Sequence, residues 1–245
     1  MVLTALGKYV VFILSVFKRP VNFKIFFKRI VEEIEQIGID SIGIVSIVSV
    51  FMGAVLTLQV AINFVSPIIP RYLIGLTARD TFILEFSSTV VCLILAGKVG
   101  SNIASEVGTM RITEQIDALE IMGVNSANYL ILPKIIAALL TFPLLSLLST
   151  ILGIVGGFLI ALTTDVVTVY DYIHGLHFAF VPFYVTYSLI KMAVFSFIIT
   201  SISAFFGYHT YGGALEVGKS STKAVVYSII FVLVFNLILT RLLLT

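Results

Sequence analysis

Five stretches of this chain, at about 40–66, 82–108, 130–163, 182–207 and 223–244, are long and predominantly apolar. A helix needs roughly 20 mainly apolar residues to cross a bilayer, and each stretch reaches that length. Together they take up more than half of the 245 residues, and no Pro/Ser-rich linker, low-complexity tract or fixed-period repeat separates them. Only 11% of residues are charged, against about 25% in an ordinary soluble domain. The sequence therefore predicts an all-α integral membrane protein built as one membrane domain over residues 1–245, with five transmembrane helices. The net charge of +2 gives no reason to expect a nucleic-acid partner. The single cysteine, Cys92, lies inside an apolar run, which excludes a disulfide framework and reads as core filling.

The basic residues predict a topology. Lys8, Lys18, Arg19, Lys24, Lys28 and Arg29 precede the first span, Arg111 and Lys134 lie between the second and third, and Lys219 and Lys223 between the fourth and fifth. Positive flanks stay on the cytoplasmic side, so the N-terminus is expected in the cytoplasm and, after five spans, the C-terminus on the opposite side. Arg71 and Arg79, and separately Asp165 and Asp171, fall in the two opposite loops. Residues 1–38 form an interfacial amphipathic region in this reading. The apolar run from Tyr9 to Phe17 is too short to span, and from Val21 onward Phe23, Phe26, Phe27, Ile30, Ile34 and Ile37 recur at helical spacing, with Lys24, Lys28, Glu32, Glu35 and Gln36 off that stripe.

The stretch GGALEVGKSST, Gly212 to Thr222, contains G-x-x-x-x-G-K-S, the written form of a nucleotide-binding P-loop. That loop works only where a β-strand ends at its first glycine and a helix N-terminus faces the phosphates. Here a spanning run precedes it, and the chain offers no parallel sheet. A cytoplasmic turn between two spans is the better reading, with Ser220, Ser221 and Thr222 as candidate N-caps for the last helix.

The segment LAGKVGSNIASEVGTM, Leu95 to Met110, is dense in small residues. Ala96, Gly100, Ala104 and Gly108 recur every four residues, with Gly97, Ser101 and Ser105 in a parallel row. Such a face admits close approach of another helix in lipid, and Gly153, Gly156 and Gly157 of the third span are a candidate partner for it. Directly afterwards TEQIDALEIMG carries Glu114, Asp117 and Glu120, too much charge to span. It reads as a short cytoplasmic helix over 113–123, N-capped by Thr113 and stopped by Gly123, with Ile112, Ile116 and Leu119 as its apolar stripe.

The run from Glu85 to Pro133, EFSSTVVCLILAGKVGSNIASEVGTMRITEQIDALEIMGVNSANYLILP, resembles the MlaE-type permeases, membrane subunits of ABC lipid transporters that work with MCE proteins. Ile190 to Tyr208 and Val217 to Ser228 extend the resemblance collinearly over most of the chain. It implies a homodimer in the bacterial inner membrane, each chain with five spans after an amphipathic interfacial helix, and a cytoplasmic ATPase dimer that supplies the energy. The implied C-terminus is periplasmic. Further implied partners are a periplasmic MCE-domain protein, phospholipid and a small cytoplasmic accessory subunit. The short acidic helix, with Thr113, Glu114, Ile116, Asp117, Leu119, Glu120 and Gly123, becomes the coupling helix to the ATPase. Two departures stand out: Phe86, Ser87 and Ser88 replace the family's usual Leu-Gly-Pro after Glu85, and Lys98 stands where the family often has Arg.

Lys191 lies about ten residues inside the fourth span, where a lysine costs roughly 2.5–3.5 kcal/mol on insertion scales. It needs a partner, and Glu85 near the outer end of the second span is the candidate. The two are expected either to line a lipid site or to pair structurally. A self-sufficient ion-coupled transporter using Glu85 and Lys191 is the alternative function, although no inverted repeat supports it. His174, His177 and Asp171 are too few for a metal site, and no nucleophile constellation is present, so no cofactor and no catalysis by this chain are expected.

Overall fold

A computed structural model describes residues 2–18, 23–64 and 69–244. Among the described residues the secondary structure is helical throughout. We number the helices α1 (Val2–Val16), α2 (Ile25–Asn63), α3 (Tyr72–Ile112), α4 (Gln115–Ile121), α5 (Ser126–Thr163), α6 (Val169–His177), α7 (Phe183–Tyr208) and α8 (Ala214–Leu244). α2, α3, α5, α7 and α8 are long and apolar enough to cross a membrane. Arg19, Val21 and the expected end of the first span at 65–66 lie outside the described residues.

Several helix ends differ from the sequence expectation. α2 runs from the amphipathic stripe into the first span through a π-helical turn at Glu35–Ile39, so the stripe and the span are one helix. α3 starts at Tyr72 rather than near 82, which takes Arg79 out of the loop and into a helix. α8 starts at Ala214 rather than near 223, so Ser220, Ser221 and Thr222 are interior helical residues and cap nothing. Charge was the misleading signal in both cases. In α3 the extension is held by the tertiary contacts of Arg79, and in α8 Glu216 and Lys219 pair within the helix itself.

The chain divides into two compact units. The first comprises Met1–Ser41, Cys92–Phe142 and Ala193–Thr245. Here the small-residue row of α3 seats α7 and α8. A Cβ on Gly100 would lie 2.9 Å from Ser203 Oγ, one on Gly207 would lie 2.7 Å from the Ala104 carbonyl oxygen, and one on Gly108 would lie 3.3 Å from Val217. Ala96 and Ala104 are fully buried, and Ser221 Oγ donates to the Ser101 carbonyl at 3.1 Å. Gly97 faces open space. α1 packs on the end of α7: the Phe12 and Phe205 rings meet edge to face at 5.6 Å, and Tyr9 Oη and Ser201 Oγ share a hydrogen bond of 2.7 Å. The last carbonyls of α1 have no partner within their own helix. The Asn125 amide donates to Ser15 and the Asn128 amide to Val16, which satisfies two of them.

The second unit comprises Ile42–Val91 and Pro143–Met192. Its glycines correct another expectation: Gly156 packs on α2, Gly153 faces Phe82 of α3, and Gly157 faces Tyr172 of α6 and Thr57 of α2, so none of the three meets the small-residue row of α3. A Cβ on Gly53 would overlap the Gly153 carbonyl oxygen, and one on Gly156 would overlap that of Val50. Ser49 Oγ donates to Ser149 Oγ at 2.8 Å across the same crossing. Close backbone approach of this kind is what small residues contribute where lipid removes the hydrophobic drive between helices. α6 lies against the start of α3. Its Tyr172 is buried, donates to the Ile154 carbonyl at 3.1 Å, and has its phenol pushed up to about 12 by burial, with a Thr57 hydrogen bond opposing.

Candidate functional site

Glu85 lies in a π-helical segment of α3, Phe82–Val90. Such segments insert an extra residue per turn and recur at functional sites. Lys191 of α7 is fully buried. Its Nζ lies 3.1 Å from Glu85 Oε1, donates to the Leu84 carbonyl at 3.1 Å and sits 4.8 Å from the centre of the Tyr187 ring. The Thr89 hydroxyl donates to the other carboxylate oxygen at 3.0 Å. The pairing expected from sequence is therefore present, and it is asymmetric: the Lys191 side chain has 0% of its surface exposed and the Glu85 side chain 38%. The serines that replace glycine and proline after Glu85 take part in the packing. Ser87 and Ser188 hydroxyls are 3.2 Å apart, and Ser188 reaches Ser146 at 3.1 Å, which links α3, α7 and α5 beside the ion pair.

The short helix α4 follows α3 after a two-residue turn. Its construction differs from the expectation at its start. Thr113 is not its N-cap: the Thr113 hydroxyl donates back to the Thr109 carbonyl at 2.8 Å, inside the last turn of α3. Glu114 takes the cap position with φ 61°, in the left-handed region, and makes no side-chain cap hydrogen bond. The stop is as expected. Gly123 has φ +75°, its N–H reaches the Glu120 carbonyl at 2.9 Å and the Val124 N–H reaches that of Leu119 at 3.0 Å, the paired bonds of a Schellman ending.

Two of the three acids of α4 are held by the protein itself. Asp117 pairs with Arg111 at 2.6 Å, and Arg111 also faces the Tyr208 and Tyr211 rings. Glu120 accepts from Ser126 Oγ at 2.9 Å and from the Tyr208 hydroxyl at 2.8 Å. Ile116 is fully buried and Leu119 half-buried. What α4 presents outward is Glu114, Gln115, Ala118 and the still exposed Glu120, with Ile121 at 87% and Met122 at 69% exposure. Sequence reading missed Ile121 and Met122. Their signal was available, since they are large apolar residues just before the helix stop and off the buried stripe.

Comparison with known proteins decides the family. The permease MlaE family model matches residues 30–242. The chain belongs to the MlaE permease family. A Rickettsia bellii protein named probable ABC transporter permease protein is 35% identical, covering 97% of this chain and 92% of its own length. A Synechocystis protein of the same description is 33% identical, covering 87% of this chain and 81% of its own length. The Arabidopsis thaliana protein trigalactosyldiacylglycerol 1, chloroplastic, is 32% identical over 89% of this chain and 62% of its own length.

Three further charged sites of this MlaE-family permease are set by tertiary contacts. Lys134, grouped from sequence with the basic residues between the second and third spans, lies inside α5 with only 4% of its side chain exposed, 2.7 Å from Glu33 Oε1 and 2.8 Å from Glu106 Oε2. Arg79 is buried in α3, paired with Asp80 at 2.8 Å, and donates to the Leu176 and Phe178 carbonyls at 2.7 and 3.0 Å, closing the end of α6. Lys98 Nζ donates to the Asp40 carbonyl. His174 is surrounded by the rings of Tyr72, Tyr170 and Phe178, and Asp171 takes part in the N-cap of α6, where the Asp171 N–H donates to Thr168 Oγ1 at 3.1 Å.

The G-x-x-x-x-G-K-S stretch folds as helix from Ala214 onward, with only Gly212 and Gly213 in the preceding turn. Its amides beyond the first turn are taken up by the α-helical ladder, so they do not form the open cradle a phosphate chain requires. Lys219 pairs with Glu216 one turn earlier, at 2.6 Å.

Proposed function

We propose that this chain is the membrane-spanning, non-catalytic permease subunit of an ABC transporter. It moves phospholipid between the bacterial inner membrane and a periplasmic MCE-domain protein, with its N-terminus cytoplasmic and its C-terminus periplasmic. Two copies form the transmembrane core, and a separate cytoplasmic ATPase dimer supplies the energy, with a small cytoplasmic accessory subunit as a further partner. The observation that carries this reading is the family match over residues 30–242, together with relatives named as probable ABC transporter permeases. The glycerolipid in the name of the Arabidopsis relative supports a lipid cargo.

Within this reading Glu85 and Lys191 line the lipid path. Lys191 is held in place by the Leu84 carbonyl and the Tyr187 ring, while the part-exposed Glu85 carboxylate is the end that a headgroup can approach. α4 is the coupling helix, anchored through Ile116, Asp117 and Glu120 and presenting Glu114, Ile121 and Met122 to the ATPase. Its two-residue junction with α3 passes ATPase movement directly into a span. The small-residue row of Ala96, Gly100, Ser101, Ala104 and Gly108 keeps α3 closely packed as that movement is transmitted, while Gly97 takes no part in that packing.

Purification of the full chain from its own membrane in mild detergent, followed by mass spectrometry of proteins and lipids, tests the proposal. A stoichiometric ATPase and co-purifying phospholipid are expected, and ATP-dependent lipid transfer in proteoliposomes should require both chains. Ion-driven uptake by the isolated chain, with no ATPase recovered, would replace this reading with the ion-coupled transporter.

A further inference from the structure

The lysine and serine of the G-x-x-x-x-G-K-S stretch border a cavity of about 460 Å³ at the turn between α7 and α8. Three lysines line it: Lys219 and Lys223 from the first three turns of α8, and Lys8 from α1. Glu216, which pairs with Lys219 at 2.6 Å, is the carboxylate among the lining residues. The three lysines and one carboxylate of the lining leave an excess of two positive charges. The hydroxyls are already engaged: Ser220 Oγ donates to the Phe206 carbonyl at 2.8 Å and accepts from Thr210 at 2.9 Å. Anion recognition therefore falls to the lysines.

The remaining walls are apolar. Phe205 and Phe206 line the cavity half-exposed. Beside Lys8, α1 turns Leu6, Val10, Val11 and Leu14 outward at 48–67% exposure. On the α8 side Leu215 is 73% exposed. α1 has 15 residues, fewer than the roughly 20 a spanning helix needs, and with its outward apolar face it suits the membrane boundary. A cationic cavity bordered by exposed apolar helix faces matches an amphiphile with an anionic head. Basic pockets between transmembrane helices bind lipid phosphates in this way.

We infer that Lys8, Lys219 and Lys223 form a binding site for the phosphodiester headgroup of an anionic phospholipid, whose acyl chains lie along α1 and α8. The GKS stretch thus meets a phosphate through side chains at a membrane surface instead of through a nucleotide cradle. This site belongs to the first compact unit, whereas Glu85 and Lys191 belong to the second. It needs neither ATP nor the ATPase, so its failure and the failure of the transport reading are separable.

The test is native mass spectrometry of the purified full-length chain titrated with phosphatidylglycerol or with phosphatidylcholine of matched acyl chains. The unaltered chain should retain phosphatidylglycerol at least about tenfold more tightly, given roughly a kilocalorie per mole for each lysine near an anionic headgroup. The K8Q/K219Q/K223Q variant should lose that preference, and K8R/K219R/K223R should keep it. Absence of any headgroup preference in the unaltered chain, a comparison that needs no variant to fold, would overturn the inference. So would a preference that survives in the glutamine variant, even if that variant no longer holds the ATPase, which would make the lysines a protein docking surface. Displacement of phosphatidylglycerol by equimolar glycerol phosphate would overturn the lipid assignment in favour of a free phosphate ester.

Discussion

Removing either end of the Glu85–Lys191 pair should cost unequal amounts, because the two ends sit in different surroundings. Lys191 has no exposed surface, while Glu85 keeps 38% of its side-chain surface. In Glu85→Ala the ammonium keeps the Leu84 carbonyl at 3.1 Å and the Tyr187 ring at 4.8 Å, but neither carries the full opposite charge that the carboxylate supplied. Stripping the partner from a buried ion costs about 3–5 kcal/mol, and Glu85→Ala should fall in that range. In Lys191→Met the packing volume is largely kept, and Glu85 retains the Thr89 hydroxyl at 3.0 Å and its exposed edge. Its loss should stay near about 1–2 kcal/mol, between the values for buried and exposed pairs. Neutralising both, in Glu85→Gln/Lys191→Met, should recover stability to within about 1 kcal/mol of the original chain, since a buried pair is roughly balanced by an uncharged isostere. The assay is unfolding of the purified chain in mild detergent, followed by far-ultraviolet circular dichroism across all four proteins. A Lys191→Met cost equal to or above that of Glu85→Ala would refute the reasoning, as would a double variant no better than Glu85→Ala.

Three other outcomes are expected. Radiolabelled azido-ATP should not crosslink to the isolated chain above background, and Lys219→Ala should leave the ATP affinity of the whole complex within about twofold, because the stretch is helical from Ala214. Ile121→Asp with Met122→Asp should weaken recovery of the ATPase in a pull-down by at least about tenfold, as loss of exposed apolar anchors does, whereas Asp117→Lys should first lower the melting temperature, since Asp117 is tied to Arg111. Gly156→Val places side-chain atoms against the Val50 carbonyl and should destabilise the chain by about 1–3 kcal/mol, read in the same detergent unfolding assay.

Much of the fold was legible in the sequence because crossing a bilayer is a one-dimensional requirement. Length and apolar composition located five spans, which recur as α2, α3, α5, α7 and α8. The small-residue row of α3 and the Gly123 stop were also readable, since side-chain size and left-handed backbone are properties of single residues. The P-loop resemblance could be set aside from its flanks alone, because the strand it needs would have to precede it in sequence. Lys191 announced itself by its depth in an apolar run, and Glu85 was the nearest acid of suitable position.

What the sequence could not decide was which other charges are buried and what holds them. Arg79 looks like a loop residue, and Lys134 like a basic flank of its span, because a charge in a linear sequence is scored against water. In the folded chain Arg79 meets carbonyls nearly a hundred positions away, at Leu176 and Phe178, and Lys134 meets Glu33 and Glu106. The same holds for α4: Asp117 and Glu120, though still part-exposed, are tied to Arg111, Ser126 and Tyr208, and Ile121 and Met122 stand outside beside them. Helical periodicity and span length are fixed by neighbouring residues along the chain. The desolvation cost of a charge, and so its place, is fixed by partners that only the tertiary fold brings within about 3 Å.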